Sequence, residues 1–122
     1  MITFNDSISI HICARTDEER NAWANAFGSW FENFTRTDAI GGWVGDVVVE
    51  TEPVIIITRW GRPDADFIRR FCDAADNFQA AARQEAVAIQ IVAGGRWSSF
   101  IVFAGEWADA FAAITDAFAG GA

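Results

Sequence analysis

The sequence predicts an α+β fold: an antiparallel sheet with helices packed on it, continued at the C-terminal end by a further strand and helix. Three observations point there. The order strand, helix, strand occurs twice in succession along the chain. Three segments carry large apolar residues at the 3.6-residue spacing of a helix with one buried stripe. The segments between them are runs rich in Ile and Val, bounded by Gly, Pro, Asn and Asp, as strands are. A chain of 122 residues with no linker or low-complexity segment is expected to form one domain.

The first strand is read from Ile8 to Ala14, where Ile8, Ile10 and Ile12 face one way and Ser9, His11 and Cys13 the other. Thr16-Asp17-Glu18-Glu19 then spells a capping box with an acidic first turn, which opens a helix. Trp23, Phe27, Trp30, Phe31 and Phe34 form its stripe, and its end is expected near Thr35. Gly28 inside the stripe costs about 1 kcal/mol of helix propensity unless it permits close packing. The Gly41-Gly42 pair is expected to open a strand from Trp43 to Thr51, with Glu52-Pro53 as the turn into a second strand, Val54 to Trp60. Pro63 suits the first turn of a second helix, with Asp64 and Asp66 at its positive end and Phe67, Phe71, Cys72, Ala75, Phe78 and Ala82 as its stripe, ending about Gln84.

From Gln84 to Phe103 the chain reads as two strands folded on Gly94-Gly95. A two-residue turn fixes their register. Ala93 then pairs with Arg96, Val92 with Trp97, Gln90 with Ser99, Ala88 with Ile101 and Ala86 with Phe103, leaving Val87, Ile89 and Ile91 on the other face. A third helix, Glu106 to Ala119, carries Trp107, Phe111, Ile114 and Phe118 at helical spacing. On this element order the chain resembles the ferredoxin-like βαββαβ plait from Ile8 through Val92, with Val92 to Ala119 as an extension. The resemblance is architectural and implies no activity, since many functions share that fold.

The composition excludes several classes. Apolar residues make up 52% of the chain, with 6 Trp and 11 Phe, so a packed aromatic core is expected rather than disorder. There are 17 acidic residues against 9 basic ones, a formal net charge of −8, which repels phosphate backbones and argues against direct nucleic-acid binding. All the basic residues are Arg, and Lys and Tyr are absent. That usage fits a GC-rich genome and points to a bacterium or its phage. Met1 to Ile12 lacks the basic flank of a signal peptide, and no run approaches a membrane span, so a cytoplasmic protein that does not bind membranes is expected. Cys13 and Cys72 lack metal or redox spacing and read as free buried thiols.

Motifs for chemistry are sparse. The Gly pairs lack phosphate-loop spacing, Ser98-Ser99 lies within a strand, and a single His cannot build a multi-histidine metal centre. No cofactor is expected. His11 is the one candidate for acid or base chemistry at neutral pH, with Asp46, Glu50 or Gln90 as partners in a proton shuttle. Trp43, Trp60 and Trp97 lie at strand ends or beside turns, and Arg59, Arg62 and Arg96 neighbour two of them. Together they suggest an Arg and Trp contact rim, because such residues anchor protein interfaces.

In size, acidity and α+β build, the chain resembles small phage-encoded inhibitors of the anti-CRISPR type, which implies occlusion of a host defence protein. The expected function is therefore that of a non-enzymatic protein-binding module with a protein partner. Two alternatives stand beside it: a small-molecule-binding protein or cofactor-free enzyme with His11 in a cavity, and an assembly component that forms a homodimer or larger oligomer. The candidate binding residues are Trp97, Arg96, Gln90, Ser99, His11, Trp60 and Arg59. One question remains open on sequence: what covers the second face of the sheet. The short Ala104-Gly105 connection favours the third helix, and a second molecule is the alternative.

Overall fold

The elements follow the expected order: β1 (Ser7–Ile12), α1 (Asp17–Trp30), β2 (Thr35–Val44), β3 (Val49–Trp60), α2 (Ala65–Ala81), β4 (Ala86–Ala93), β5 (Arg96–Phe103) and α3 (Trp107–Gly120). The structure is a computed structural model that describes residues 1–44 and 49–120; Asp46 and the side chains of Trp43 and Glu50 lie outside what it describes. The five strands form one sheet in the order β2-β3-β1-β4-β5, and each neighbouring pair is antiparallel. The expected ferredoxin-like plait is thus present, with β5 added at the edge beside β4.

Local chemistry sets most of the boundaries. Thr16 caps α1 by accepting a hydrogen bond from the Glu19 amide at 3.1 Å. Asp64 does the same for α2, accepting from the Phe67 amide at 2.7 Å, so Pro63 stands before the cap rather than in the first turn. The Gly94-Gly95 turn has φ +58° and +81°, the left-handed pair that a two-residue hairpin requires. Its register is the expected one throughout, from Ala93 opposite Arg96 to Ala86 opposite Phe103.

The β2 and β3 boundaries depart from expectation. Neither Gly41-Gly42 nor Glu52-Pro53 is a turn; both lie inside strands, Gly41 opposite Glu52 and Ile40 opposite Pro53. Pro53 is tolerated there because β1 ends at Ile12, opposite Ile55, so at Pro53 only β2 flanks β3. Strand β2 also begins earlier, at Thr35, and α1 stops at Trp30. Phe34 is therefore outside the helix, half-exposed, with its ring against Gly28, where a Cβ would lie 3.0 Å from it. Gly28 provides the space that this contact needs.

All three helices cover the same face. Ile8, Ile10 and Ile12 of β1, Ile55 and Ile57 of β3, and Val87, Ile89 and Ile91 of β4 form the floor of the core, and Phe27, Phe31, Phe71, Phe78, Ile114 and Phe118 fill it from above. The expectation that α3 would cover the second face is corrected. After Gly105, at φ +86°, the chain turns back over the side already occupied by α2. There the Trp107 indole donates to Gln79 Oε1 at 2.7 Å, while Gln79 Nε2 donates to the Glu85 and Val102 carbonyls at 3.2 Å each. This buried amide ties α2, α3 and the β4–β5 hairpin together, and satisfying it requires α3 on the α2 side. Among the described residues no helix is long and apolar enough to cross a membrane.

Candidate functional site

The open face of the sheet is organised in rows across the strands. Ser7 lies between Trp60 and Val92, and Val92 lies opposite Trp97. The next row is polar and uncharged: Thr58, Ser9, Gln90 and Ser99, with the Ser9 and Thr58 hydroxyls hydrogen-bonded at 2.7 Å. Farther along come Ile56, His11, Ala88 and Ile101, and beyond them Val54, Ala86 and Phe103. Large apolar side chains stand in solvent here: Trp97 is 73% exposed, Ile101 55%, Phe103 48% and Trp60 40%.

A groove of about 580 Å³ opens at the far end of this face. Its origin is the length of the strands. β1 ends at Ile12, opposite Ile55, whereas β3 runs on to Val49 and β4 only as far as Ala86, so past Ile12 the long end of β3 has no strand beside it on the β1 side. The gap is lined by His11 and Cys13 at the end of β1, Glu52 and Val54 on β3, Ala86 and Ala88 on β4, Ile101 and Phe103 on β5, and Phe78 of α2. Gly41 and Gly42 of β2 border it as well, so the glycines read as a turn are part of its wall.

The polar groups in the groove have distinct states. Burial pushes the Cys13 thiol up to about 11, and the charge of Glu52 and the thiol's hydrogen bond to that carboxylate add to the shift, against a smaller opposing effect of Arg20. At neutral pH Cys13 is therefore a protonated donor to Glu52 and not a thiolate nucleophile. Burial holds the His11 imidazole below its ordinary value, and a side-chain hydrogen bond to Gln90 opposes this in part. His11 is neutral at pH 7. Its Nε2 is enclosed and has no hydrogen-bond partner among the described residues. The groove thus combines a carboxylate, a thiol and an unpartnered imidazole nitrogen with apolar walls, the composition of a small-molecule site whose few polar groups orient the ligand.

Of the residues singled out on sequence, His11, Gln90, Ser99, Trp60 and Trp97 come together on the open face, and His11 lines the groove. Arg59 and Arg96 do not join them. Strand alternation turns both away from the neighbouring tryptophans, so the expected Arg and Trp rim does not form. The Arg59 guanidinium lies 4.2 Å from the centre of the Phe67 ring and 3.9 Å from the Glu32 carboxylate, on the helix side. Cys13, Glu52, Ile101 and Phe103 were not singled out as site residues. The signal that could have found Glu52 is its place two residues from the end of an apolar run, on the face of Val54 and Ile56.

No protein-family model matches the chain, and no curated protein matches it. Solved structures do. A phage SAM lyase in complex with S-methyl-5′-thioadenosine matches with a TM-score of 0.62 over 88% of this chain and 95% of that one, at 15% identity. A phage SAM lyase in the apo state matches with a TM-score of 0.54 over 82% and 88%, also at 15% identity. At that identity the likeness is one of fold: an α+β architecture found in a phage protein. The expectation of a non-enzymatic binding module is corrected by these matches, because the fold this chain shares is that of an enzyme, seen with a nucleoside thioether bound.

Proposed function

We propose that this protein is a lyase that cleaves S-adenosylmethionine in the groove beyond β1 and releases S-methyl-5′-thioadenosine. The observation that carries this reading is the groove itself, a carboxylate hydrogen-bonded to a thiol among apolar walls, on a fold shared over 88% of the chain with a phage SAM lyase. The substrate is a sulfonium with a fixed positive charge. A protein of net charge −8 draws such a cation in, and Glu52 places negative charge inside a weakly polar cavity, where it counts for more than in water. The adenine and ribose need flat apolar contact and a few neutral donors and acceptors, which Ile101, Phe103 and His11 offer in the groove.

The step balances within the substrate. The bond between sulfur and the carbon of the amino-acid arm breaks, and its electron pair stays on sulfur, which becomes a neutral thioether. The carbon released is taken by the substrate's own carboxylate oxygen, closing a ring, so no water is consumed and no groove residue must accept a proton. The protein's part is to fold the amino-acid arm back on itself and to exclude competing water. The apolar walls and the protonated Cys13 suit that part, since neither competes as a nucleophile. Incubation of the purified protein with S-adenosylmethionine, followed by chromatography and mass spectrometry, is expected to show stoichiometric S-methyl-5′-thioadenosine. Unchanged substrate after prolonged incubation would overturn the proposal.

A further inference from the structure

The geometry points to His11 as the residue that gives the groove its choice of nucleobase: its Nε2 accepts a hydrogen bond from the exocyclic amino group of a ligand's adenine, and a 6-keto purine is refused. This role narrows the S-adenosylmethionine reading and rests on it for the class of ligand.

The sheet supplies a place for the base. Continuing the register of Ile10 opposite Ile89, Ala88 lies beside His11, with Ile101 beyond it, and Ala86 faces Phe103 in the next row. The two alanines form a low floor on β4 between His11 on β1 and the exposed Ile101 and Phe103 on β5, and all of these residues line the groove. Successive rows lie roughly 7 Å apart and β1 lies roughly 10 Å from β5, so the trough takes a flat bicyclic base laid on the alanine methyls. Glu52 lies on the same face, four residues along β3 from Ile56, the partner of His11, or roughly 14 Å of backbone. The two side chains shorten that span. A ligand whose sulfonium stands at Glu52 therefore brings the far end of its adenosine to His11.

The imidazole is set to accept. Nε2 has no hydrogen-bond partner among the described residues, so the contact with the Gln90 side chain falls to Nδ1. That contact favours the charged ring, as a hydrogen bond donated by the imidazole does, so Nδ1 carries the proton and Gln90 Oε1 accepts it. Burial keeps the ring neutral at pH 7, and the lone pair is left on Nε2. Gln90 is thus a positioning residue that fixes the tautomer. An adenine joined to ribose offers N–H donors only at its exocyclic amino group, whereas a 6-keto purine presents an oxygen acceptor there. A site that holds an acceptor at that point discriminates because the wrong base leaves it unpaired.

Calorimetric titration at neutral pH with S-methyl-5′-thioadenosine and S-methyl-5′-thioinosine tests this role, since neither ligand is a substrate for cleavage. The wild type is expected to bind the thioadenosine about tenfold or more tightly than the thioinosine, and His11→Phe, with a flat ring and no acceptor, to bind the two alike. Because His11 is the only histidine of the chain, nitrogen NMR of its ring gives a second, direct reading. Nε2 is expected to carry no proton in the free protein, and its resonance to move upfield with the thioadenosine and not with the thioinosine. Equal affinities in the wild type, binding of neither ligand, a preference kept by folded His11→Phe, or a proton on Nε2 would overturn the inference. Should His11→Phe lose its circular dichroism, the NMR decides. A wild type that prefers the thioadenosine but leaves S-adenosylmethionine uncleaved keeps the role of His11 and removes the lyase; cleavage without any preference between the two bases does the reverse.

Discussion

His11 is the residue on which sequence and structure meet most directly. Being the one histidine, and on the polar side of an alternating strand, it was visible as a candidate, and it lines the groove with Nε2 unpartnered. Its burial has a thermodynamic consequence. The folded value lies below the ordinary imidazole value near 6.5, so between the two the unfolded chain binds more protons, and stability rises with pH. The contribution is complete above the unfolded value and is lost as pH falls through the folded one. Urea midpoints of the wild type should therefore drop more between about pH 7.5 and about pH 5 than those of His11→Asn. Equal drops would show that the imidazole is not desolvated in the fold. Glu52 was not visible, for a physical reason: a proline at its side normally ends a strand, and the termination of β1 that makes Pro53 tolerable is a tertiary event.

At the scale of elements, what local chemistry dictates was legible. The Gly94-Gly95 turn permits one register, and the β4–β5 pairing follows from it residue by residue. The cap of α1 was readable for the same reason, whereas at α2 the sequence put Pro63 in the first turn and Asp64 proved to be the cap. β2 was not, because Thr35 to Asp38 is exposed and polar on both faces and carries no apolar period, and because its paired glycines mimic a turn. The side chosen by α3 was unreadable too, since its stripe fits either face; the decision falls to Gln79, a polar residue on an apolar helix face. Gln79→Leu removes the acceptor of the Trp107 indole and the donors to two carbonyls, leaving buried polar groups unpaired at about 1–3 kcal/mol each. Chemical denaturation should show a loss of about 3 kcal/mol or more, with α3 exchanging its amides fastest. A neutral substitution would mean that apolar packing alone holds α3.

For the whole molecule, one geometric fact links fold to function. A central strand that stops well before its neighbour β3 leaves a gap in the sheet, and the gap opens on the face that no helix covers. Neither the strand's length relative to its neighbours nor the bare face could be read from the chain, since both depend on strand order and on where α3 packs. The net charge was legible and was taken to suit a protein surface; on the proposed lyase reading it would instead draw in a cationic small molecule. The most direct test compares the rate of S-methyl-5′-thioadenosine release from S-adenosylmethionine by the wild type and by Glu52→Gln, with equal melting temperatures confirmed for both. The account predicts release by the wild type and a fall of about tenfold or more in the variant, the loss of one charge interaction with the sulfonium. Equal rates in the two proteins, or no release by either, would contradict it.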